Sequence, residues 1–93
     1  MRQAAKVDAN QAKVVAALRA IGASVQPLHQ IGKGCPDLLV GYWGKNMLME
    51  VKDGAKPPSE RKLTPDQVVW HAGWRGSVVV VYGPEDAIEA VTC

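Results

Sequence analysis

Two short apolar runs, Leu38-Leu39-Val40 and Met47-Leu48-Met49, flank the stretch Trp43-Gly44-Lys45-Asn46, and this spacing reads as a β-hairpin. The first strand is expected over Asp37–Tyr42 and the second over Met47–Lys52. Side chains alternate faces along a strand, so Glu50 and Lys52 share one face while Met49 and Val51 share the other; on the first strand Asp37 and Leu39 share a face. The turn decides whether these groups meet. Gly44-Lys45 suits a type II′ turn, which wants glycine first; Asp37 would then oppose Lys52, with Glu50 its diagonal neighbour. With Trp43-Gly44 as the loop, Asp37 opposes Glu50 directly. Either register puts Asp37, Glu50 and Lys52 on one face, and only an odd-length loop without a compensating bulge would part them.

Carboxylates held this close repel each other, because directly opposed residues have Cβ atoms only about 4.5–5.5 Å apart. A divalent cation offsets the repulsion well: Mg²⁺ prefers oxygen ligands and commonly uses one or two carboxylates, with water and substrate phosphate completing the shell. Such a metal polarises a phosphate and lowers the pKa of bound water, and Lys52 beside it could orient that water or meet developing negative charge. Taken singly, Pro36-Asp37 is an ordinary strand start and Glu50-Val51-Lys52 an ordinary solvated ion pair. Their joint placement across one hairpin is what points to chemistry.

The remaining pattern supplies a frame. The length, 93 residues, fits one domain spanning 1–93 with a modest core, for which self-association would add stability. Asp8 can cap a first helix carrying Val14, Val15, Leu18 and Ile21 at helical spacing and ending at Gly22. Ser24–Leu28 reads as a short strand, with Pro27 placing it at an edge or strand end, and His29–Pro36 as a loop. Asp53–Leu63 is a long polar connection of the kind that is often functional. Thr64-Pro65-Asp66-Gln67 starts a second helix that runs to Gly73, with Thr64 as its cap. Val78–Val81 within Ser77–Tyr82 predicts a strand buried on both faces, and Pro84–Val91 a closing helix. The order is α-β-β-β-α-β-α.

Composition mainly excludes. Two cysteines, Cys35 and Cys93, make no disulfide framework, and His29 and His71 lack zinc-site spacing relative to them. No signal peptide and no membrane-length apolar run is visible, so a soluble, reduced, cytoplasmic protein is expected. The net charge of +2 says little about partners, although Lys56, Arg61 and Lys62 sit in one loop-like stretch with a single acid among them, Glu60.

The residues Gly34-Cys35-Pro36-Asp37-Leu38-Leu39-Val40-Gly41, then Gly44-Lys45-Asn46 and Met49-Glu50-Val51-Lys52-Asp53-Gly54, resemble the VRR-NUC branch of the PD-(D/E)XK nucleases, in particular its stand-alone, phage-type members. The resemblance runs from about Asp8 to Val81 and takes in the Thr64-Pro65-Asp66-Gln67 helix start. It implies an α/β, restriction-endonuclease-like core with a mixed four-stranded sheet flanked by helices, and hydrolysis of DNA phosphodiesters with Mg²⁺ or Mn²⁺. It implies that Asp37 and Glu50 ligate metal through their side chains and Val51 through its carbonyl, that Lys52 is the catalytic lysine, and that Gln67 approaches from the following helix. Stand-alone members are similar to Holliday-junction resolvases, so the resemblance also implies branched DNA as substrate and a homodimer, with no organic cofactor and no membrane; a phage protein acting in a host cytoplasm fits. One departure stands out: many relatives carry an acid on the first helix facing the metal, and here that helix offers Asp8, Asn10 and Gln11 but no glutamate.

Lys56, Arg61 and Lys62, and with less support Lys33, are candidates for DNA phosphate contacts, against the plain alternative of solvated loops. Trp70 and Trp74, four apart, suit core or interface. Trp43 at the hairpin tip should be exposed. His71 is a conceivable general base that fits packing better, and Cys35 reads as a small buried residue. Beside the endonuclease stand a non-cleaving nucleic-acid-binding module of the same fold and a purely structural domain. The complete Asp37, Glu50 and Lys52 set favours the first.

Overall fold

A computed structural model describes residues 9–93. Asp8, the expected cap of the first helix, lies outside the described residues. The elements are α1 (Ala9–Ala20), β1 (Ser24–Pro27), β2 (Leu38–Tyr42), β3 (Lys45–Val51), α2 (Pro65–Gly73), β4 (Val78–Val81) and α3 (Pro84–Thr92), with one 3₁₀ turn, Pro58–Glu60, in the long loop. This is the order read from the sequence. The four strands form one mixed sheet in the spatial order β1-β2-β3-β4, antiparallel except for the parallel β3–β4 pair.

One face of the sheet builds the core. Leu38, Val40, Met49, Val51 and Val81 point from it and meet Val14 and Leu18 of α1 and Ala87 of α3, all buried. Burying a side chain of this size contributes roughly 1.5–3 kcal/mol. Over the other face lies α2, a helix of nine residues none of which is buried; Val68, Val69 and Trp74 stay exposed. The expectation that β4 is buried on both faces is therefore met only in part. Val81 is buried, whereas Val78, Val79 and Val80 are half-buried, since β4 is an edge strand under a short helix.

The hairpin corrects the preferred turn. Tyr42 pairs with Lys45 and Leu38 with Met49, so the loop is Trp43-Gly44 and not Gly44-Lys45, and β3 begins at Lys45 rather than Met47. Trp43 (φ 52°) and Gly44 (φ 79°) both adopt the left-handed region, as a type I′ turn requires. A tryptophan there costs on the order of 1 kcal/mol, and Trp43 is 87% exposed, as anticipated for the hairpin tip.

Candidate active site

The hairpin register sets the site. In a two-residue hairpin the residues flanking the loop form a hydrogen-bonded pair, and pair types alternate from there. Continued past Leu38–Met49, the register sets Asp37 opposite Glu50 at a non-hydrogen-bonded position, where opposed side chains come closest. The next pair would be Pro36 with Val51, but proline has no N–H to offer the Val51 carbonyl. The Val51 N–H instead donates to Asp37 Oδ2 at 2.8 Å, which fixes the Asp37 carboxylate at the strand mouth. The backbone at Val51 thus leaves the regular ladder beside the two carboxylates.

Glu50 is only 2% exposed, and α2 is the reason. Gln67, in the first turn of that helix, donates from Nε2 to Glu50 Oε2 (3.1 Å) and accepts from Lys52 Nζ at Oε1 (2.8 Å). Lys52 Nζ lies 3.7 Å from Glu50 Oε2. Glu50 Oε1 is buried with no hydrogen-bond partner. Burial, then the neighbouring Asp37 charge and carboxyl contact, push the Glu50 carboxyl up to about 8, against the opposing pull of Lys52. The fit to a divalent cation rests on these facts: two facing carboxylates, one of them with an orphaned buried oxygen, are the donor set such an ion satisfies. Among the described residues no group of three or more His, Cys, Asp or Glu side chains is placed to hold a metal, so backbone oxygen and water would have to complete the shell.

The raised Glu50 acid has a consequence for the metal-free protein. Its carboxyl is protonated in the fold over a range where the unfolded chain has already released the proton, so stability falls as pH rises from about 4.5 towards about 8. His71, held below its ordinary value by burial and then by Lys52, opposes this only below pH 6.5, and Cys35, raised by burial and then by Glu50 and Asp37, acts only above 9. Between pH 6.5 and 8 in EDTA, Tm should drop by on the order of 10 °C, and Glu50→Gln should flatten the slope. A flat wild-type profile would contradict this placement of Glu50.

Other expected site residues are placed as follows. Lys33, Lys56 and Lys62 are exposed on loops and, among the described residues, take no part in the Asp37–Glu50–Lys52–Gln67 network. Arg61 is half-buried: its Nε donates to the Lys56 carbonyl (2.8 Å) and its guanidinium lies 5.7 Å from the Tyr82 ring centre, so it ties the long loop to Tyr82, the residue after β4. Trp70 and Trp74 stack at 4.7 Å and line an apolar groove with Leu28, Leu39 and Leu48. Asn10 is a residue whose role sequence reasoning left open. Its Nδ2 donates to the carbonyls of Lys52 (2.8 Å) and Tyr82 (3.3 Å), clamping α1 onto the ends of β3 and β4. Gln11 is buried.

A mixed sheet of this order has the fold of a nuclease-type domain. A solved structure described as a "VRR_NUC domain" is similar to this chain with a TM-score of 0.63 and 29% sequence identity, covering 87% of this chain and 88% of the other. The likeness read from the motif residues thus extends to the whole fold, which is VRR_NUC-like. No family model and no curated protein sequence matches the chain.

Proposed function

We propose that the protein is a metal-dependent endonuclease hydrolysing DNA phosphodiester bonds, with branched DNA as its preferred substrate and a homodimer as its working form. The observation that carries the reading is the convergence of Asp37, Glu50, Lys52 and Gln67 at one end of the β2–β3 hairpin. Asp37 and Glu50 would hold Mg²⁺ or Mn²⁺ through their carboxylates, with the Val51 carbonyl, which Pro36 cannot engage, as a backbone ligand. The ion would supply a Lewis acid for the phosphate and a more acidic bound water. Lys52, steered by Gln67 Oε1, would meet negative charge developing on the phosphate or orient the attacking water. Glu50 must give up its proton before it can serve as a metal ligand, so metal binding and proton release are coupled. Exposed Lys33, Lys56 and Lys62 would meet phosphates flanking the cut, and Arg61 would shape the loop that presents Lys56. The thin cover of α2, with Val68, Val69 and Trp74 exposed, supports self-association.

The test is cutting of labelled four-way junction, flap and linear duplex DNA in Mg²⁺, Mn²⁺ or EDTA. Metal-dependent cutting, fastest on a branched substrate, is expected. Cutting that persists in EDTA contradicts the mechanism, and binding without cutting in either metal favours a non-cleaving module. Solution mass should give a dimer; a strict monomer would argue against symmetric resolution of a junction.

A further inference from the structure

Gln67 belongs to two structures at once. It is the third residue of α2, and with Thr64 it forms a capping box: Thr64 Oγ1 accepts from the Gln67 backbone N–H (3.3 Å), and Gln67 Oε1 accepts from the Thr64 backbone N–H (2.8 Å). The same amide is part of the site, since Oε1 also takes the Lys52 ammonium at 2.8 Å and Nε2 donates to Glu50 Oε2 at 3.1 Å. An amide oxygen accepts along two lone pairs, and here the helix N-terminus and Lys52 use both. The orientation of the amide follows. Turned over, its NH₂ would confront two donors, the Thr64 N–H and the Lys52 ammonium, and its oxygen would confront Glu50. The box partner is here half-buried between Lys52 and Glu50 of the hairpin.

We infer that Thr64 is a positioning residue: by closing the capping box it holds Gln67 in the one orientation that aims Lys52 Nζ and Glu50 Oε2, although Thr64 itself is exposed and its box bonds go to Gln67 and to neither of them. The physical basis is rotamer locking. A glutamine side chain has three rotatable bonds; the Thr64 backbone N–H holds its Oε1 end, while the Thr64 hydroxyl fixes the Gln67 backbone from which the side chain starts, and together they restrict the amide before substrate arrives. Without the hydroxyl, the Gln67 N–H loses its acceptor, the first turn of α2 loosens, and the amide no longer has a fixed origin from which to reach Lys52. The inference rests on the nuclease reading for its consequence in catalysis, but the coupling itself exists in the metal-free protein.

The experiment compares Thr64→Val, which keeps the shape and removes the hydroxyl, with Thr64→Ser, which keeps the hydroxyl. In metal-free protein, Thr64→Val should shift the Gln67 side-chain NH₂ signals in ¹H–¹⁵N spectra and Thr64→Ser should leave them near their wild-type positions. On DNA with Mn²⁺, Thr64→Val should lower kcat by about 10–100-fold, the loss typical of residues that orient a metal site from behind, with KM changed less than about threefold; Thr64→Ser should retain kcat within about threefold. Should Thr64→Val fail to fold, Thr64→Gly serves, because glycine is tolerated as an N-cap yet supplies no hydroxyl. Ala72→Gly, exposed and near the far end of α2, weakens the same helix without touching the box and should leave kcat intact. Wild-type kcat in Thr64→Val or Thr64→Gly, equal loss in Thr64→Ser, or equal loss in Ala72→Gly would each overturn the assignment. If the wild-type protein cuts no DNA in any metal, the nuclease reading fails, and the Gln67 signals alone decide whether Thr64 holds that amide.

Discussion

On the proposed metal-dependent nuclease reading, Asp37→Ala should keep its fold and its hold on DNA and lose cutting by about 10²–10³-fold or more. The fold survives because Asp37 is a conflicted residue. Its Oδ2 accepts the Val51 N–H, but its charge lies against the buried Glu50 and is one reason that carboxyl is pushed up to about 8. Removing it forfeits one hydrogen bond, worth on the order of 1 kcal/mol, and relieves that repulsion, so Tm should move little. The proposed reaction should not survive, because half of the paired carboxylate set is gone. Lys52→Ala should lose a comparable amount for a different reason. Its backbone N–H still reaches the Val81 carbonyl and its own carbonyl still accepts from Asn10, so the strand end stays in place. Gln67 likewise keeps its bonds to Thr64 and Glu50. What disappears is the positive charge, so binding persists while kcat falls. Cutting rates measured at saturating Mn²⁺, alongside DNA binding by fluorescence anisotropy in Ca²⁺, separate the two quantities. Either variant cutting within tenfold of wild type would remove that residue from the mechanism.

The parts of this site legible in the sequence are those set by local period. Alternation along a strand places Glu50 with Lys52, and an even loop places Asp37 with them, whichever of two turns forms. Thr64-Pro65-Asp66-Gln67 announces a capped helix in the same local way. Local period could not choose between the turns, because both keep the parity; the choice went to a type I′ turn with a tryptophan in a left-handed conformation, against its intrinsic preference. Nor could it foresee that Glu50 is buried. An alternating strand puts Glu50 on the polar face, and only the tertiary passage of α2 over that face shuts water out. Asn10 escaped for the same reason: its partners, the carbonyls of Lys52 and Tyr82, are far along the chain. The strength of the motif and the weakness of the surrounding reading have one cause. The motif is written within a hairpin, and its environment is written by contacts between distant segments.

Gly34→Ala is where such a contact should show most strongly. The loop before Pro36 passes against the first turn of α2, and a Cβ built on Gly34 would lie 2.4 Å from the Asp66 carbonyl oxygen, 2.6 Å from its carbon and 3.0 Å from the Gln67 nitrogen. These are backbone atoms of a capped helix and cannot rotate away. Gly34 also sits at φ +84°, where an L side chain is strained in any surroundings. Overpacking costs typically about 1–3 kcal/mol and the backbone conformation roughly one more. For a domain of this size that corresponds to a Tm lower by on the order of 10 °C. Gly32→Ala separates the two terms: its φ is +73°, but nothing lies within 4 Å of the added methyl, so it should carry the conformational cost alone. The difference matters for catalysis. To admit a methyl at position 34, α2 must move at Asp66 and Gln67, and displacement of a positioning group by about 1 Å can cost about 10²-fold in rate. Gly34→Ala should therefore cut roughly 10²-fold more slowly than wild type at a temperature where both are folded, while Gly32→Ala, destabilised but unclashed, should cut at a rate close to wild type. Equal rates in the two variants would mean that the loop and α2 are not in register contact, and that the glycine before Cys35-Pro36-Asp37 serves the backbone turn alone.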